Sequence, residues 1–171
     1  MPITPSSPGI YRPGNALRAI VIAGLVAGFL DGAAASVQYY ITTGNNPTRV
    51  FQFIASAVFG KSAFSGGLEM AAWGVLFHFL IALGFTVLFY ILYPVMTRLA
   101  RSRYLIGIIF GILVWVIMNL VVVPLSNAPQ FPFQLKGIFI GLGLIILMIG
   151  LPISLIFHHL VTKKMNVFDI Q

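Results

Sequence analysis

Long apolar runs alternate with short polar breaks along the chain, and four of them, at about residues 16–41, 70–93, 104–123 and 137–160, match a membrane span. Each supplies close to the ~20 apolar residues that a helix needs to cross the hydrocarbon core. A fifth pattern lies between the first two. From Pro47 to Phe59, Val50, Phe51, Phe53, Ile54, Ala57 and Val58 share one helical face and Arg49, Gln52 and Ser56 the opposite one. This stretch is too short to span, so it predicts an amphipathic helix over about 47–59, lying in the interface or folded onto the mouth of the bundle. The expected fold is all-α: a polytopic membrane protein with four transmembrane helices, a short amphipathic helix between the first and second, and tails at 1–15 and 163–171.

The first span is unusual because it carries an acid. At 100° per residue, Gly24, Gly28, Asp31, Gly32, Ala35, Gln38 and Tyr39 fall in one sector, and Ile22, Val26, Phe29, Leu30, Ala33 and Val37 on the other side. One face is small and polar, while the other suits lipid. A carboxylate at this depth costs about 2.5–3.5 kcal/mol on insertion scales, so a compensating group is expected inside the protein. His78 in the second span and Asn119 in the third are the candidates. Counting residues from the span centres puts Asp31, His78 and Asn119 about 3, 6 and 7 Å toward the same side, at a rise of ~1.5 Å per residue. An imidazole and a carboxylate in one layer offset part of each other's burial cost and can exchange a proton near neutral pH. The opposing reading is that all three merely hold helices together, as most buried polar groups in such bundles do.

The breaks set topology. TTGNN at 42–46 is a turn; Gly60, Gly66 and Gly67 make the next connection pliable; and Pro94 begins a loop with Arg98, Arg101 and Arg103. In PLSNAPQFPF, Pro124, Pro129 and Pro132 oppose regular helix, and Phe131 and Phe133 can sit at headgroup level. Pro152 should bend the fourth span near Met148. Seven of the lysines and arginines fall on the side of the two termini and the Arg98 loop, and three, Arg49, Lys61 and Lys136, on the other. Both termini are therefore expected in the cytoplasm.

Composition supports the same class. Of 171 residues, 59% are hydrophobic and 8% charged, with a mean hydropathy of +1.01. The net charge of +7 is spread between apolar runs and not gathered on one face, which argues against nucleic acid as a partner. Without cysteine there is no disulfide or thiolate chemistry. His158 and His159 stand near the end of the fourth span with no acid beside them to complete a metal set, and Glu69 suits a helix start. No metalloprotease, nucleotide-binding or nucleophile-elbow motif is present, so neither enzyme, metal nor cofactor is expected. Gly24 and Gly28, extended by Gly32, and Gly107 and Gly111 form GxxxG spacings suited to helix packing, within the chain or between chains. Arg12, Arg18, the apolar run to Leu30 and Ala33–Ala35 also fit a cleavable signal peptide, although Asp31 and the unbroken stripe through Tyr39 oppose that reading.

The Gly-rich GLVAGFLDG, the Pro-rich VVPLSNAPQFPF after the third span and the histidine near the end of the fourth resemble the YagU-like group of bacterial inner-membrane proteins of unknown function. The resemblance implies four helices and a bacterial inner-membrane location, and brings no chemistry with it. Two functions are then expected from the residues. One is proton-linked permeation of a small solute or ion, or pH sensing, through the Asp31/His78 layer. The other is a structural or assembly protein whose glycine stripe docks a partner helix. The partners are the lipid bilayer and, for either function, further copies of the chain or another membrane protein.

Overall fold

Each long apolar run folds as a helix, and the computed structural model describes residues 13–130 and 134–161, with side chains from Ala16 onward. The helices are α1 (Pro13–Thr43), α2 (Thr48–Phe59), α3 (Gly67–Leu99), α4 (Arg103–Leu125) and α5 (Leu135–Val161). No strand occurs among the described residues. All but α2 are long and apolar enough to cross a membrane. Their outer faces carry a belt of exposed side chains, among them Phe29, Leu80, Ile91, Ile112 and Leu147, which a bilayer covers favourably. This is an integral, multi-pass membrane protein.

Several boundaries differ from the sequence expectation. Helix α1 takes in Pro13–Asn15, which the sequence places in the tail; residues 1–12, 131–133 and 162–171, with the rest of the N-terminal tail, the C-terminal tail and the Phe131/Phe133 anchors, lie outside the described residues. Helix α3 continues through Pro94 to Leu99, where the sequence predicts a loop. A proline costs little here because it removes one bond close to a helix end that is exposed to solvent. Helix α4 likewise runs past Pro124. Just before Pro124 the helix widens into a π turn, Met118–Val122, and α5 does the same at Ile146–Gly150, just before Pro152. The physical reason is shared: each proline ring would press on the carbonyl four residues back, Leu120 or Met148, and that residue is the centre of the widened turn. Val123 N–H reaches the Met118 carbonyl and Leu151 N–H the Ile146 carbonyl, so both ladders resume five residues on.

Connections are short. Gly44 closes α1 with φ +68° and an N–H bond to the Tyr40 carbonyl, a left-handed cap that a side chain would strain. Helix α2 then crosses α3 and does not run alongside it. Phe51 near its start meets Gly74 and His78, while Phe59 at its end meets Trp73 and Phe77, within about one turn and a half of α3. The most deeply buried residues of α2 are Gln52, Ala55 and Ser56, while Phe53 and Ile54 of its apolar face border an inner cavity. Gln52 and Ser56 are buried, with Gln52 Nε2 donating to the Gly67 carbonyl at 2.9 Å and Ser56 Oγ to the Phe53 carbonyl at 2.6 Å. Val58 and Phe59 face outward.

At the end bearing Arg98 and Arg103 the bundle is solid. Phe89 of α3 stands edge-on to Phe110 of α4 and Phe157 of α5, with ring centroids 4.8 and 5.4 Å away, and Tyr93 completes the cluster at 5.2 Å from Phe157. Helix α1 closes against this core with Ala19, Ala23 and Ala27, all fully buried. Helices α4 and α5 touch backbone to backbone: a Cβ on Gly107 would lie 3.0 Å from the Gly150 carbonyl, and one on Gly111 2.7 Å from Ile146 Cα. Ser154 Oγ donates to the Arg103 carbonyl at 2.7 Å and pins the pair.

Candidate functional site

Toward the α2 end the same helices part around a half-open cavity of about 700 Å³, lined from all five of them and from the α4–α5 connection. The glycine stripe of α1 sets its first wall by bringing α3 close. Gly24 packs under Leu83 and Thr86, Gly28 under Phe79 and Ala82, and Gly32 under His78, whose Nε2 lies 3.1 Å from where a Cβ would be. These three glycines are therefore occupied within the chain. His78 Nε2 lies 2.8 Å from the Gly28 carbonyl. Since a carbonyl only accepts, Nε2 is the ring nitrogen that donates here. Phe51 and Phe79 meet the ring edge-on and fix its plane.

One residue before Gly32, Asp31 lines the same cavity as His78. No buried side-chain nitrogen or oxygen among the described residues lacks a hydrogen-bond partner. Asn119 lines the cavity from the π turn of α4, with Nδ2 donating to the Trp115 carbonyl at 2.9 Å. The three polar residues picked from separate spans therefore share one chamber, although Asn119 hydrogen-bonds its own helix and not Asp31 or His78.

More of the wall is polar than the spans alone suggest. Gln38 of α1, Gln130 of the α4–α5 connection and Gln134 at the start of α5 also line the cavity, with Trp115 beside Gly141. The sequence reading passes over Gln130 and Gln134 because the proline-rich turn reads only as a surface break; two long amides in so apolar a turn are the signal that was there. The floor is apolar. Phe85, Val114 and Ile149 form it, and one helical turn further on stand Phe89, Phe110 and Ile153 of the solid core. Beyond that core, Tyr93 Oη lies 3.4 Å from His158 Nδ1. The chamber is thus blind toward the arginine end.

The described residues contain no group of three or more His, Asp or Glu placed to hold a metal ion. What the arrangement can do is offer a guest of modest size an acid, an imidazole and several amides. No family model matches the chain, and neither does any curated protein or any solved structure, so the functional reading rests on this geometry.

Proposed function

We propose that the chain is a proton-responsive solute-binding protein of the bacterial inner membrane, with the Asp31/His78 cavity as its binding site. The convergence of Asp31, His78 and Asn119 from three helices on one chamber carries this reading. An acid inside a membrane bundle is costly to keep, and such residues by default mark a functional site. The chamber volume falls within the ~300–1,000 Å³ usual for small-molecule sites. The distribution of lysine and arginine favours both termini in the cytoplasm, so the chamber would open toward the outer face, and the YagU-like resemblance supports the same membrane. Passage to the cytoplasm would require Phe89, Phe110 and Phe157 to part, and the two π turns beside the floor are where α4 and α5 can bend. Docking of a partner through the glycine stripe of α1 is the weaker reading, because α3 already covers Gly24, Gly28 and Gly32.

The absence of cysteine allows a direct test. In liposomes, Ala35→Cys should react with a membrane-impermeant thiol reagent added on one side. Its rate, divided by that of the exposed control Ser62→Cys to cancel the thiol's own ionisation, should differ between mildly acidic and mildly alkaline buffer. Adding Asp31→Asn should flatten that difference while leaving the protein folded. An unreactive Ala35→Cys, or a pH response that Asp31→Asn leaves unchanged, would sink the proposal.

A further inference from the structure

Beside the chamber, α1 and α5 splay apart. Helix α1 packs closely on α5 beyond Ile146, through Ala19, Ala23 and Ala27 against Ile149 and Ile153, but meets Leu135–Ile145 only loosely. The gap is a groove of about 840 Å³ on the outside of the bundle, walled by Leu30, Ala34 and Val37 of α1 and by Ile140 and Met148 of α5. Gln38, Gln134, Gly137 and Leu144 line both this groove and the chamber, so the two spaces adjoin through one seam. Lys136 lines the groove at the α2 end, and no carboxylate pairs with it among the described residues.

The groove's length identifies its occupant. From Ile41 to Leu30 it follows α1 for about 16 Å, and from Lys136 to Met148 it follows α5 for about 18 Å, at ~1.5 Å per residue. Half of a ~30 Å hydrocarbon core is about 15 Å, the depth of one leaflet. A full-length partner helix would lie half outside this groove, which the alanine seam shuts midway. An apolar slot of single-leaflet depth with a cation at its surface end fits one acyl chain and the anionic headgroup above it.

We propose that the α1/α5 groove binds an anionic phospholipid of the leaflet at the α2 end, with a chain along α1 and α5, its phosphate at Lys136, and the seam at Gln38 and Gln134 as a side entrance to the chamber. This deepens the solute-binding reading by naming the class of guest, an anionic amphiphile taken from the membrane and not from water.

Native mass spectrometry of the protein released from nanodiscs of equal phosphatidylglycerol and phosphatidylcholine reads the proposal directly. One phosphatidylglycerol should stay bound per chain, in preference to phosphatidylcholine. Lys136→Gln should cut that preference about fivefold, the usual worth of one cation near a headgroup, while Lys61→Gln, a cation outside the groove, should leave it unchanged. Ala34→Trp should fill the slot and abolish retention, with Ile140→Trp as the second blocking variant. Equal retention of both lipids, retention that survives both tryptophans, or a dimer that the tryptophans dissociate would each overturn it. Failure here with a pH-responsive Ala35→Cys would leave the solute site standing and remove only its lipid guest.

Discussion

The two halves of the bundle are built from the same four long helices, yet one is solid and the other hollow. In the solid half, alanines on α1 and glycines on α4 and α5 let backbones touch, and four aromatic rings fill what remains. In the hollow half, α1 turns Asp31, Ala35 and Gln38 inward, α5 offers Gly137 and Gly141, and α2 and the α4–α5 connection keep the helices apart. The difference follows from what each half has to satisfy. Apolar groups in a bilayer gain from close packing alone, whereas a carboxylate or a free amide edge needs a partner or accessible space. Where the chain supplies acids and amides without enough protein partners, the helices stand apart around them.

Substitutions should separate the halves sharply. Phe89→Ala removes a fully buried ring from the solid half and should cost about 3–5 kcal/mol in reversible unfolding from mixed micelles. Ile138→Ala in the chamber wall, a half-buried position, should cost about 1 kcal/mol or less, since it adds to space already open. Equal costs at the two sites would mean that the chamber is in fact tightly packed. A smaller contrast is expected from glycines. A Cβ on Gly150 would collide with the Gly107 carbonyl and crowd Gly111, both backbone and unable to yield, so Gly150→Leu should lose about 3 kcal/mol. Nothing lies within 4 Å of the corresponding position at Gly137, and Gly137→Leu should fall within about 0.5 kcal/mol of the parent. A tolerated Gly150→Leu would show that α4 and α5 are not held backbone to backbone.

The same glycines show how much the sequence could say. The spans and the crossing helix were legible because each follows from apolar periodicity and length, and Asp31 and His78 stood out because a charge in a span is rare. Prolines 94 and 124 were misread as stops, since their cost is relieved by a nearby helix end or a π turn that a residue count does not reveal. Spacing also fails to assign roles. Gly107 and Gly111 carry the same GxxxG interval as Gly137 and Gly141, yet the first pair presses on a neighbouring backbone and the second borders a cavity. The decisive fact is what lies opposite, and that is set by residues distant in the chain. The inward turn of Gln52 and Ser56 on α2 escaped for a related reason. Amphipathicity shows that a helix has two faces, but in a membrane protein it leaves open which one is covered by protein.

The least perturbing change bears on whether the chamber's polar wall serves to bind or to brace. Asn119 Nδ2 donates to Trp115 on its own helix, and no hydrogen bond joins it to α1 or α3. His78 Nε2 reaches across to the Gly28 carbonyl of α1. If polar groups here brace the bundle, the interhelical one should matter more, though by no more than the ~0.6 kcal/mol average and ~1.7 kcal/mol maximum seen for such bonds. Asn119→Leu, near in size and within its own turn, should therefore change stability by less than about 0.5 kcal/mol, and His78→Leu by about 1 kcal/mol, in the same unfolding assay. The thiol-reactivity readout should behave differently: Asn119→Leu should keep the pH response of Ala35→Cys, and His78→Leu should lose it along with Asp31→Asn. A stability loss at Asn119 comparable to that of Phe89→Ala would make the hollow half as dependent on its contacts as the solid one, and the distinction between them would fall.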